Sequence, residues 1–230
     1  MEHMGQTNKT QQSNADDTTE LLTKGKRQGH IAPRWAAAIG IIALGFIYLA
    51  LPDKLTIGPS WLLLVIEAVL LIPIIFFRGQ FSPTTIRKLA LILLGILTAA
   101  LAGIVVLLIL TLPNLTRGNT LLRSAGLIWC FNILVFALWY WEIDGGGPFK
   151  RHMSGHKAAD FMFPQQVDNN MGNWVPHFID YLFVAFTGAT ALSPTDTYPL
   201  TRIAKMLMMI EAVLSMTVII LLAARAVNIL

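Results

Sequence analysis

Apolar residues come in five long runs, roughly 35–51, 60–77, 88–112, 120–141 and 201–229, separated by polar or Pro/Gly punctuation. Crossing a hydrocarbon layer takes about 20 apolar residues in a helix. Backbone polar groups cannot stay open in lipid, so each run predicts a transmembrane helix. The first two are short and joined by Pro52-Asp53-Lys54, which predicts a tight helical hairpin; the third and fifth are long enough to span with tilt. Trp35, Trp61, Trp139, Tyr140 and Trp141 fall at run ends, the depth that aromatic side chains prefer.

A sixth stretch, Phe178 to Ala191 (FIDYLFVAFTGATA), is apolar and aromatic but too short to cross. A re-entrant half-helix fits it, and at membrane depth its end must then be surrounded by protein or water. The other reading is a helix lying at the interface. The first thirty or so residues, rich in Gln, Asn, Thr, Asp and Lys, predict a disordered tail and lack the pattern of a signal peptide. The expected organisation is an all-α integral membrane protein of five transmembrane helices plus one re-entrant helix. It divides into a cytoplasmic tail (1–33), a four-helix scaffold (34–143), a polar loop (144–177) and a pore-like module (178–230).

Composition agrees: 55% of the 230 residues are hydrophobic and 13% charged, with a mean hydropathy of +0.61. A water-soluble globule is excluded. The net charge of +4 arises from basic residues between the runs, where they orient a chain in lipid rather than grip nucleic acid. Thirteen fall on one side (Lys9, Lys24, Lys26, Arg27, Arg34, Arg78, Arg87, Lys88, Lys150, Arg151, Lys157, Arg202, Lys205) and four on the other (Lys54, Arg117, Arg123, Arg225), which predicts a cytoplasmic N-terminus. Cys130 is the single cysteine, so there is no disulfide framework.

From Tyr181 to Leu207 the chain reads YLFVAFTGATALSPTDTYPLTRIAKML. This resembles, without a gap, the pore module of tetrameric potassium channels: an aromatic pore helix ending in Ala189-Thr190, a filter slot, then Asp196-x-Tyr198-Pro199-Leu200-Thr201 and a long inner helix. The resemblance implies a homotetramer with Thr190, Ala191, Leu192, Ser193, Pro194, Thr195 and Asp196 at the filter and no voltage sensor in the preceding spans. The Glu142-Ile143-Asp144-Gly145-Gly146-Gly147-Pro148 and Trp174-x-Pro176-x-Phe178-x-Asp180-Tyr181 stretches resemble uncharacterised bacterial multi-span membrane proteins and bring no activity with them.

The departure lies at the chemistry. Potassium channels carry Thr-Val-Gly-Tyr-Gly-Asp where this chain has Ala191-Leu192-Ser193-Pro194-Thr195-Asp196, so both glycines and the tyrosine are gone. A cage of backbone carbonyls uses conformations that Gly visits freely and that Pro194 and Thr195 do not. A wider constriction, lined by Ser193 and Thr195 hydroxyls with a ring of Asp196 carboxylates, replaces it and suits hydrated cations, monovalent or divalent. A plugged, non-conducting slot is the competing reading. The charge count turns the module upside down relative to a potassium channel, an orientation that glutamate-receptor pores share.

Glu67 and Glu211 each sit in an Ile-Glu-Ala-Val-Leu pentapeptide within a span. Ionisable groups at such depth cost a few kcal/mol and face a cavity or a partner. Glu211 is expected to line the pore or to stand neutral and hydrogen-bonded between helices; Glu67 is expected to pair with Arg123 or Asn132. His152, His156 and Asp160 share a four-residue spacing that suits a metal, but the nearby glycines argue against a stiff helix, and a solvated face is the default. No metal or cofactor is assigned. Gly95, Ala99, Ala100, Ala102 and Gly103 predict close helix packing. There is no Gly-rich phosphate loop, His-Glu-x-x-His or nucleophile elbow, so no enzyme is expected. The leading expectation is an atypical cation channel. The alternatives are a non-conducting structural or sensory protein on the same scaffold, and a proton-coupled transporter using Glu67 and Glu211.

Overall fold

The computed structural model describes residues 35–76, 81–111, 118–168, 170, 173–190 and 196–227. In chain order they form α1 (Trp35–Leu49), α2 (Leu62–Phe76), α3 (Pro83–Thr111), α4 (Gly118–Ile143), α5 (Pro148–Met153), β1 (Phe161–Met162), α6 (Phe178–Thr190), β2 (Tyr198–Pro199) and α7 (Arg202–Val227). The expected tail lies outside the described residues.

Among the described residues three helices are long and apolar enough to cross a membrane: Pro83–Thr111, Thr120–Gly146 (α4 and the turn after it) and Arg202–Ala224 within α7. α1 and α2 have 15 residues each, about 22 Å at 1.5 Å per residue, against a hydrocarbon core of about 30 Å. The sequence runs overstated these two because their ends are spent on the hairpin. Leu51 and Leu55 are buried at its tip, and Tyr48 Oη accepts from Ile57 N at 2.8 Å. α3 starts where Ser82 Oγ accepts from Thr85 N at 3.2 Å and Pro83 takes the first helical position.

α1 to α4 alternate in direction. Trp35, Ile74, Ala90 and Trp141 surround one cavity at one end. At the other end Ile57 lies against Gly103, and Arg123 Nη2 donates to the Ala50 carbonyl at 3.4 Å. α4 packs against α1, α3, α6 and α7. Of its apolar window 61% is buried, against 17% for α7, so α7 presents a broad open apolar face. Of the predicted small-residue stripe Gly103 is pressed by Ile57 and Ala100 packs against the buried core; a Cβ on Gly95 would meet nothing within 4 Å, and Ala99 and Ala102 are exposed.

Candidate functional site

The expected polar loop is a folded cap. Gly145, Gly146 and Gly147 have φ of 59°, 77° and 97°, a left-handed path that residues with a Cβ resist. They swing the chain off α4 so that α5, opened by Pro148, doubles back beneath it. This brings Arg151 under the end of α4, where Nη1 donates to the carbonyls of Trp141 (3.0 Å) and Asp144 (2.7 Å). A cation at a helix C-terminus satisfies the last carbonyls and the dipole together. The guanidinium also stands 4.8 Å from the Trp141 ring centre and 5.1 Å from that of Tyr181.

Two carboxylates tie the cap to the helices that leave it. Asp144 Oδ1 accepts from Asp160 N and Phe161 N at 3.0 and 3.2 Å, and its Oδ2 from the Tyr181 hydroxyl at 2.5 Å. Arg151 Nη1 stands 3.9 Å from that Oδ2 in an ion pair with both side chains 1% exposed. Asp160 Oδ2 accepts from Gly145 N at 3.0 Å and Oδ1 from the Thr201 hydroxyl at 2.7 Å; Thr201 in turn caps α7. β1 and β2 pair antiparallel, Phe161 with Pro199 and Met162 with Tyr198. The start of α6 and the start of α7 are therefore fastened to the same cap.

α6, 13 residues long, descends between α4 and α7. Near its start Phe178 meets Trp141 with ring centres 6.2 Å apart; near its end Phe186 meets Trp129 at 5.8 Å. At that depth lies a buried polar cluster. Tyr140 donates to Glu211 Oε2 at 2.5 Å, and Asn132 Nδ2 donates to Ser215 Oγ at 2.9 Å and to the Glu211 carbonyl at 3.3 Å. A Cβ on Gly188 would stand 3.0 Å from Glu211 Oε2. Glu211 Oε1 and Asn132 Oδ1 are buried with no hydrogen-bond partner.

The predicted site residues thus scatter. Glu211, 0% exposed, faces α4 and α6 rather than the open side of α7, because the Tyr140 hydroxyl offers it a donor there. Asn132 serves α7 and Arg123 the α1–α2 hairpin, so neither meets Glu67, whose carboxylate lies against Gly45 with both oxygens lacking a hydrogen-bond partner. Thr190 ends α6, its hydroxyl donating to the Phe186 carbonyl at 2.8 Å. Ala191, Leu192, Ser193, Pro194 and Thr195 lie outside the described residues, and Asp196 is exposed just beyond them. Asp160 is spent on Gly145 and Thr201 and does not join the histidines; among the described residues no three His, Cys, Asp or Glu side chains are grouped to hold a metal. His152 Nδ1 and His156 Nε2 are 3.3 Å apart. Burial, with the nearby charges of His152, Arg151 and His177 behind it, pulls the His156 pKa down from 6.5 to about 4.

No family model, curated protein or solved structure matches this chain. Tyr140, Ser215 and Gly188, which complete the buried cluster, and Asp144, Arg151, Tyr181 and Thr201, which build the cap, were not singled out as site residues from sequence. A signal for the first group was present. Asn132 and Tyr140 are eight positions apart on α4 and Glu211 and Ser215 four apart on α7, each pair on one helical face.

Proposed function

We propose that the chain is a homotetrameric cation channel-like membrane protein whose pore module is α6, residues 191–196 and α7. One observation carries this reading: α6, 13 residues or about 20 Å long, is about two-thirds of a roughly 30 Å span, and both it and α7 set out from the same cap. α6 ends near the depth of Glu211 and Tyr198 is again at the cap, paired with Met162, which supports reading the two as the ends of a re-entrant loop. In this reading all five runs cross the bilayer, α1 and α2 with local thinning. The cap is cytoplasmic, since Arg87, Lys88, Lys150, Arg151, Lys157, Arg202 and Lys205 belong to its end of the bundle, against Lys54, Arg123 and Arg225 at the other among the described residues. Copies assemble through the open faces of α6 and α7, where Phe183, Met206, Met209, Val213 and Met216 are exposed. Asp196 forms a carboxylate ring at the mouth, attracting hydrated cations.

A second reading is favoured by the inward turn of Glu211. From Met206 to Ala224 the open face of α7 carries no charged side chain, and an apolar constriction closes by dewetting. A tetramer closed in this way is a structural or sensory membrane protein without conduction. Cation flux into liposomes holding the purified protein separates the two. The channel reading expects flux that Asp196→Asn reduces by about tenfold, the order of a ring-charge effect. No flux in either protein leaves the non-conducting reading.

A further inference from the structure

A cavity of about 400 Å³ lies between α1, α2, α3 and α4, within the size range of small-ligand sites. Its walls are apolar, from Trp35, Ala38, Ala90 and Trp141 at the level of the cap down to Ile42 and Leu138 further in. Water has no partners along such a wall. The upper end differs: Glu142 lines the cavity there. Arg87, one turn before the lining residue Ala90 on α3, stands beside it. Glu142 Oε1 and Arg87 Nε flank the same point, 3.2 and 3.7 Å from where a Cβ on Gly147 would be. Arg87 Nε is buried with no hydrogen-bond partner. The site is therefore a greasy slot with the Glu142 carboxylate at its upper end and the Arg87 guanidinium next to that carboxylate, with two tryptophans at interfacial depth on its walls.

We infer that this cavity is a binding site for an aminophospholipid such as phosphatidylethanolamine, one acyl chain filling the slot, the phosphate on Arg87 and the primary ammonium on Glu142. A guanidinium fork matches phosphate oxygens. The carboxylate disfavours a purely anionic headgroup and accepts hydrogen bonds from a primary ammonium, which a quaternary ammonium cannot donate. The site lies across α4 from the cluster around Glu211 and stands whether or not the chain conducts.

The test is native mass spectrometry of the full-length protein, stripped of lipid in detergent and then offered equal amounts of phosphatidylethanolamine, phosphatidylcholine and phosphatidylglycerol of matched chains. One phosphatidylethanolamine is retained per chain, by about fivefold over the other two, the discrimination of roughly one charge-assisted hydrogen bond. Ala38→Phe and Ala90→Phe each push a ring into the slot and abolish retention, judged in whichever variant keeps the parent melting temperature. Glu142→Gln removes the preference over phosphatidylcholine while retention persists. A slot filled by the chain's own N-terminal residues gives no adduct, and one filled by any available lipid gives equal adducts of all three; either result, or undiminished retention in the Phe variants, overturns the inference.

Discussion

The Tyr140 hydroxyl donates to the Glu211 carboxylate at 2.5 Å, joining the two long helices of the C-terminal half, α4 and α7, near the depth where α6 ends. Tyr140→Phe removes that donor and leaves a second carboxylate oxygen unsatisfied in the interior. An orphaned buried polar group costs about 1–3 kcal/mol. Thermal unfolding in detergent is expected to fall for Tyr140→Phe. In the double variant Tyr140→Phe with Glu211→Leu, most of the loss is recovered, since no polar group is left waiting for a partner.

Arg151 and Asp144 are each 1% exposed and share the cap's centre. Breaking a buried pair by removing one partner costs about 3–5 kcal/mol, far more than an exposed pair is worth. Arg151→Met is therefore expected to open the cap, read as rapid protease cleavage between residues 149 and 177, while Lys150→Met, exposed next to it, leaves the cleavage rate unchanged.

The cap should also weaken in acid. His156 titrates at about 4 when folded against 6.5 in an unfolded chain, so the unfolded state binds the proton first. The contribution of neutral His156 is complete above pH 6.5 and is lost progressively as pH falls from 6.5 to 4. Amide exchange at 150–160 is expected to accelerate across that window beyond the change in intrinsic rate. His156→Asn, which keeps a residue tolerant of the positive φ of 54°, should flatten the dependence.

Glycines separate strain from packing. Gly147→Ala puts a side chain at φ 97° and 3.2 Å from Glu142 Oε1, and is expected to cost about 1–3 kcal/mol. Gly95→Ala in α3 meets no atom within 4 Å and should stabilise by about 1 kcal/mol through helix propensity. Melting temperatures of the two single variants check both signs.

The helices were legible because lipid imposes one rule on every residue of a run, and a window along the chain is enough to see it. That α1 and α2 are short and joined by a hairpin was legible too; that Leu51 and Leu55 belong to the hairpin's buried tip and not to the helices was not, since they read as ordinary apolar residues until Tyr48 folds the hairpin over them. The cap escaped for a related reason. Asp144, Arg151, Asp160 and Thr201 look like loop polarity in sequence, and only partners up to 41 positions away make them a core. Glu211 and Asn132 were picked out for their depth, yet depth does not name a partner. The expected link from Glu67 to Asn132 gave way to Asn132 with Ser215 because α4 packs on α7.

The central proposal is that α6 and the segment after it dip from the cap and return, with four copies around one axis. The mass of the assembly in lipid nanodiscs tests it most directly. Four copies of the 25.4 kDa chain, reduced to single chains by Val213→Arg and Met216→Arg on the open face of α7, is the predicted result; single chains in the parent protein, or an assembly that these substitutions do not disturb, would contradict it.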